Sequence, residues 1–397
     1  MNITTSFIKG SRSSQCDWFY ELSINENNSI ICFGDGHSDW TSKQVDYFKN
    51  LTLEAIKIYK KDENNILKNI YLYITKKWIL TEEDIYTNYG TSFIIIHYNI
   101  NEDYCYYINL GDSILFFETN DNEIIKPYIF NWNTEYGKNI AKKINIILTN
   151  NEHEYILLQR KDALEYEKRF LPYFNIFGYV TCVAETIGFL SKKSVGCKKH
   201  LSFNEKCKIQ YACSGLNEDG DDLEIEVKRI DNVKSIYMFS DGVTSKGAIG
   251  LECVVDKIYT IINKPKNTRI IELILNDTNL FSYFISNTKY KINDFKQISD
   301  DINNPNSIFS SKEHSEKIFN SENGWEVFKT FMDLWKKTKI LDDVWWEAID
   351  EQIEYFDKRK TIEECDNVIE MVTRLAVLCM SDDNTSSIKI SKSLMSI

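Results

Sequence analysis

The chain has 397 residues, with 47 basic and 59 acidic side chains and a formal net charge of −12. At 43% apolar and 27% charged residues it has the composition of a globular protein, not of a disordered chain. The acidic excess argues against a nucleic-acid partner, because neutralising phosphates needs clustered Lys and Arg.

The length allows one enlarged domain or two domains. Ten cysteines are scattered without a Cys-x-x-Cys pair, which speaks against a zinc site and for reduced, buried thiols. The first ten residues lack a basic segment followed by an apolar one, so no signal peptide is expected. No run reaches the ~20 apolar residues of a membrane span. A cytoplasmic protein with no membrane partner is the expectation.

In chain order, residues 2–34 read as short strands. Trp18, Tyr20, Leu22 and Ile24 alternate on one face, and Ser29 to Phe33 is a continuous apolar run that stops at Gly34-Asp35-Gly36-His37. The period changes over 41–60, where Val45, Phe48, Leu51, Ala55, Ile56 and Tyr59 predict an amphipathic helix. A second helix is predicted over 63–78. Residues 91–99 read as a buried strand. Residues 103–110 and 113–118 are predicted to form a hairpin around Leu110-Gly111-Asp112-Ser113. Strand patterning returns at 223–230 and 235–240, the latter ending in Asp241-Gly242. Residues 251–288 read as helical, 290–320 as a polar loop, and 325–380 as helices broken near 339–342 and 358–361. Asn384 to Ile390 reads as a final strand. Strand blocks followed by helices predict an α+β protein with both sheets covered.

Acidic residues recur where strands end. Asp35 and Asp241 each close an apolar strand, Asp112 sits between two, and Asp383 precedes the last. A carboxylate at the end of a buried strand is costly unless it meets water, a base or a cation. One Asp-Gly pair reads as a plain turn. Several such carboxylates converging would repel one another, and a hard divalent cation such as Mg²⁺ or Mn²⁺ would relieve that.

Six short motifs now stand in order: Arg12 with Asp17 and Trp18, Asp35-Gly36-His37, Gly90-Thr91-Ser92, Asn109-Leu110-Gly111-Asp112-Ser113, Ser240-Asp241-Gly242, and Asp383-Asn384. The set resembles the metal-dependent serine/threonine phosphatases of the type 2C (PPM) family over most of the chain. The resemblance is thin at about 120–220 and about 265–360, which look like inserted segments. It implies a single domain over 1–397, a four-layer α-β-β-α sandwich of two mainly antiparallel sheets flanked by helices. It also implies a water-bridged pair of Mg²⁺ or Mn²⁺ ions. Asp35 would bridge both ions, the Gly36 carbonyl would bind one, Asp241 and Asp383 the other, and Asp17 would act through water. Asp112 matches a position linked to a third ion in parts of the family. Arg12 would grip the phosphate and His37 would protonate the leaving alcohol.

The residue types suit that chemistry. Arg offers a planar fork to phosphate, and His titrates near neutrality. The family's expected substrate is a phosphorylated protein, with phosphorylated small molecules a weaker alternative. A non-catalytic phosphatase-fold module is the other reading. Departures from the family pattern are Cys16 in place of an acid, Ser38-Asp39 in place of glycines, Ile114 in place of Arg, and Ser386-Ser387 in the last motif. None removes a direct metal ligand. The cluster Trp325, Trp335, Trp345 and Trp346 reads either as helix core or as a face that docks a protein partner through 325–346.

Overall fold

A computed structural model describes residues 1–10, 12, 14–36, 41–62, 65–80, 91, 93–110, 113–125, 227–244, 258–277, 321–337, 343–378 and 384–392. The chain divides into two compact units. One holds Met1–Ile3, Ser14–Ser240 and Lys389–Ile397; the other holds Thr4–Ser13 and Asp241–Ile388.

The strands are β1 (Asn2–Ile8), β2 (Trp18–Ser23), β3 (Asn28–Gly34), β4 (Phe93–Asn99), β5 (Cys105–Leu110), β6 (Ile114–Thr119), β7 (Ile124–Ile125), β8 (Lys228–Ile230), β9 (Val233–Phe239) and β10 (Thr385–Ser391). They form two five-stranded sheets of order β2-β3-β4-β5-β8 and β1-β10-β9-β6-β7. The pairings β2/β3, β3/β4, β4/β5, β5/β8, β6/β7 and β6/β9 are all antiparallel.

In the first unit, α1 (Ser42–Tyr59) and α2 (Ile66–Leu80) cover one face of the first sheet. Thr41 starts α1 with a capping box, its backbone N–H donating to Gln44 Oε1 at 2.9 Å. Phe48, Leu51, Ala55 and Ile56 then fall on one stripe and bury against Trp18, Tyr20 and Phe93. The Tyr20 hydroxyl, buried in this layer, pairs with Thr52 Oγ1 at 2.8 Å. Left unpaired there it would cost about 1–3 kcal/mol. The other face of the sheet carries Ile31, Phe33, Ile94 and Ile96, all fully buried. Tyr107 of β5 packs its ring 5.4 Å from Phe117 of β6, so this face meets the second sheet. The result is an α+β arrangement of two antiparallel sheets with flanking helices.

The predicted hairpin over 103–118 is corrected. β5 pairs with β4 and β8, whereas β6 pairs with β9 and β7, so the chain changes sheets between them. A tight Gly-Asp turn fits either route, and β6 is buried along its whole length. Local turn chemistry cannot choose the partner of a strand that is apolar on both faces.

The second unit contains α3 (Ile270–Asp277), α4 (Gly324–Lys336), α5 (Asp343–Asp357) and α6 (Val368–Leu378). The helical expectation for 251–288 holds only in part: a turn at Pro265 separates residues 258–262 from α3. That turn pairs with the break after α5, through the Ile270 N–H to the Lys360 carbonyl at 2.8 Å and the Ile362 N–H to the Thr268 carbonyl at 3.1 Å. Thr373 of α6 donates to Ser387 Oγ of β10 at 2.7 Å, seating the helix on the strand. Asp357 accepts from Lys360 Nζ, Lys329 Nζ and Trp325 Nε1. These donors, Lys360 first, hold its carboxyl well below the usual range.

Of the two roles read for the tryptophan cluster, core describes Trp325 and Trp346, which are buried. Trp345 is half-buried, and the Trp335 side chain lies outside the described ones. The Cys32, Cys105 and Cys365 thiols are free and buried, as expected, and Cys16 is buried. Burial pushes the Cys32 and Cys105 thiols well up and Cys365 to about 11, which keeps them unreactive. Among the described residues no helix is long and apolar enough to cross a membrane. Most of the expected inserted segment at 120–220, and residues 278–320 of the other, lie outside the described residues.

Candidate metal and phosphate site

The first group of site residues arises from strand register. Trp18 stands opposite Gly34 where β2 and β3 pair. The ladder continues past both strands, because the Gly36 N–H donates to the Cys16 carbonyl at 3.2 Å. Asp17 therefore faces Asp35 across the pair. Directly opposed residues in such a pair have Cβ atoms about 4.5–5.5 Å apart. Both side chains lie on the face of Phe19 and Phe33, and they are only 6% and 8% exposed. Two opposed carboxylates at that depth raise the energy of the fold unless positive charge is shared between them.

A chain of hydrogen bonds holds this strand end. Trp18 Nε1 donates to Thr91 Oγ1 at 2.9 Å, and the Thr91 hydroxyl donates to the Asp35 carbonyl at 2.9 Å. Thr91 also bridges Gly36, so three strands stay in register beyond their ends. The Trp18 ring is gripped by Tyr20, Phe48 and Phe93, with centroids 5.3, 5.2 and 6.0 Å away. Sequence reasoning passed over the roles of Thr91 and the Trp18 indole. The Gly90-Thr91-Ser92 motif was the available signal for Thr91. Trp18 is the aromatic of the first motif, but its hydrogen bond to a residue 73 positions later is not legible there.

The second group lies in the other unit and is built by backbone packing. Asp241 opens a single 3₁₀ turn, Asp241–Thr244. A Cβ at Gly242 would sit 1.8 Å from the Asn384 carbonyl oxygen, so only glycine fits. Asn384 Nδ2 in turn donates to the Lys9 carbonyl at 2.8 Å, and Thr385 Oγ1 to the Ile8 carbonyl at 3.3 Å. The chain then turns at Gly10, whose φ of 63° is the left-handed region that favours glycine. Arg12 follows and is exposed.

The structure thus brings Asp17, Asp35 and Gly36 together, and separately draws the Asp241-Gly242 turn against Asn384 and the segment leading to Arg12. His37, Asp112 and Asp383 lie outside the described residues, as does the Asp241 side chain. Among the described residues no three His, Cys, Asp or Glu side chains are grouped to hold a metal. What is present suits a hard divalent cation: two buried carboxylates facing each other, offering only oxygen. On the same sheet face, Asn109 Oδ1 is buried without a hydrogen-bond partner among the described residues.

No family model matches the chain, and no curated protein matches it. Solved structures do. One is a sex-determining protein of C. elegans, at 9% identity and a TM-score of 0.43, with 98% of this chain covered. The chain spans 64% of that protein's length. Another is the catalytic domain of the serine/threonine protein phosphatase PstP in complex with two manganese ions. It shows 9% identity, coverage of 98% and 96%, and a TM-score of 0.38. A third is the PPM serine/threonine phosphatase MsPP from Mycobacterium smegmatis in complex with cacodylate, at 10% identity, 98% coverage of both chains and a TM-score of 0.39.

Proposed function

We propose that the chain is a single phosphatase domain with inserted segments, which removes phosphate from phosphoserine or phosphothreonine in proteins using Mg²⁺ or Mn²⁺. The observation that carries this reading is the buried, face-to-face placement of Asp17 and Asp35. The order of the six motifs along the chain supports it.

In this reading Asp35, the Gly36 carbonyl, Asp241 and Asp383 would hold two ions, Asp17 would act through water, and Asp112 would serve a third position. When bound, such ions lower the pKa of a shared water and neutralise the phosphoryl charge. The chain's own groups do the rest. The Arg12 guanidinium grips two phosphate oxygens with its parallel N–H donors and orients the ester. The His37 imidazolium gives its proton to the departing serine or threonine oxygen, so the alkoxide does not leave as an anion. No side-chain nucleophile is needed.

The test is turnover of a phosphoserine peptide, with a phosphorylated-metabolite panel beside it, in the presence and absence of Mn²⁺. Peptide turnover that needs Mn²⁺ and vanishes in Asp35→Ala and in Asp241→Ala is expected. Metal-independent turnover, or full activity in either variant, overturns the reading. Preference for a metabolite would move the substrate to small molecules.

A further inference from the structure

Among the described residues, the Trp18 indole links the first unit's helix-covered core to the Asp17–Asp35 pair through side-chain hydrogen bonds. Its ring lies on the opposite sheet face from the two carboxylates, within the layer under α1 and α2. Its N–H leaves that layer only to reach Thr91, and Thr91 in turn reaches the Asp35 carbonyl. Three features make this more than packing. Both bonds are buried and 2.9 Å long, so losing one would not be repaired by solvent. The relay ends on the backbone of Asp35 itself, the peptide group that joins one carboxylate-bearing residue to Gly36. And the Trp18 ring has little freedom, because aromatic neighbours hold it on three sides. A rigid donor therefore fixes the peptide on which the carboxylate is mounted. Partners that orient metal ligands in this way govern affinity without touching the ion.

We propose that Trp18 is a positioning residue. Through the Thr91 hydroxyl its indole N–H holds the Asp35 carbonyl, and this sets Asp17 and Asp35 at the spacing a divalent cation needs. The inference rests on the metal-dependent reading above and adds to it a role for the aromatic residue of the first motif.

The experiment uses the full chain and Mn²⁺ alone as probe. Calorimetry gives the Mn²⁺ affinity, and hydrogen exchange gives the protection of the Gly36 amide, which bonds to the Cys16 carbonyl. Trp18→Phe keeps the ring and removes the donor. Thr91→Val keeps the shape and removes the hydroxyl, and it carries the test alone should Trp18→Phe fail to fold. Both are expected to weaken Mn²⁺ binding about 10–100-fold and to speed exchange at Gly36, whereas Thr91→Ser restores both. Ile70→Val, which loosens the same helix-covered core outside the relay and outside the three rings that hold Trp18, should lower the Tm and leave Mn²⁺ affinity and Gly36 exchange unchanged. Wild-type affinity in folded Thr91→Val overturns the inference and leaves the metal-dependent reading intact. So does an equal loss in Ile70→Val, which would assign the effect to packing. Wild-type protein that binds no Mn²⁺ fells the metal-dependent reading, and the positioning role with it.

Discussion

The end of β2 and β3 and the turn at Gly242 both present an aspartate where a strand stops, yet they are held by different means. At the first, side chains do the work. Trp18 and Thr91 reach the Asp35 carbonyl through two hydrogen bonds, and the ladder bond from Gly36 to Cys16 closes the register. At the second, side-chain bonds from Asn384 and Thr385 are joined by a direct backbone approach, with no room at Gly242 for even a methyl group beside the Asn384 carbonyl. A hydrogen-bonded support can be weakened in steps, because each bond contributes about 1 kcal/mol net. A close steric contact has no intermediate setting, since a carbonyl oxygen in a strand cannot swing aside as a flexible side chain can. The first region should therefore respond gradually to mutation, and the Gly242 contact of the second abruptly.

The largest effect should come from Gly242→Ala. With a Cβ 1.8 Å from a backbone oxygen, the turn or β10 must shift, and a loss at or above about 3 kcal/mol is expected from overpacking. Urea unfolding measures it, and a midpoint equal to wild type would break the contrast between the two regions. Asn384→Ala should be intermediate. It removes the donor to the Lys9 carbonyl and should cost about 1 kcal/mol. On the phosphatase reading it should raise KM for a phosphopeptide more than it lowers kcat, because the segment leading to Arg12 loses its tether. An equal fall in kcat with KM unchanged would show that Asn384 serves the chemistry rather than the anchoring of that segment. The smallest effect should come from Cys16→Ala. The thiol is buried but it is the Cys16 carbonyl that receives the Gly36 N–H. A loss below about 1 kcal/mol, with Mn²⁺ affinity kept, is expected from unfolding and calorimetry. A large loss of affinity would mean that Cys16 acts at the site through its side chain.

The tryptophan cluster shows how far composition carries an argument. A core stripe and a docking stripe have the same spacing on a helix. Trp325 earns its place in the core through its indole bond to Asp357 and Trp346 through burial, and neither partner nor depth is visible in a helical period.

By itself the sequence determined where most of the described strands and helices run, and that Asp35 and Asp241 stand at strand ends. Those features follow from side-chain periods of 2 and 3.6 and from turn residues, all of which are local. The helix at Ser42–Tyr59 and the strands at Phe93–Asn99 and Thr385–Ser391 match those readings within a few residues. Only the tertiary structure decided that β6 leaves the sheet of β5, that Asp17 faces Asp35, that Thr91 holds a carbonyl 56 positions earlier in the chain, and that Gly242 has no room for a side chain. Each depends on which strand lies beside which. That choice is made by long-range burial shared over a whole sheet, and no window of neighbouring residues contains it.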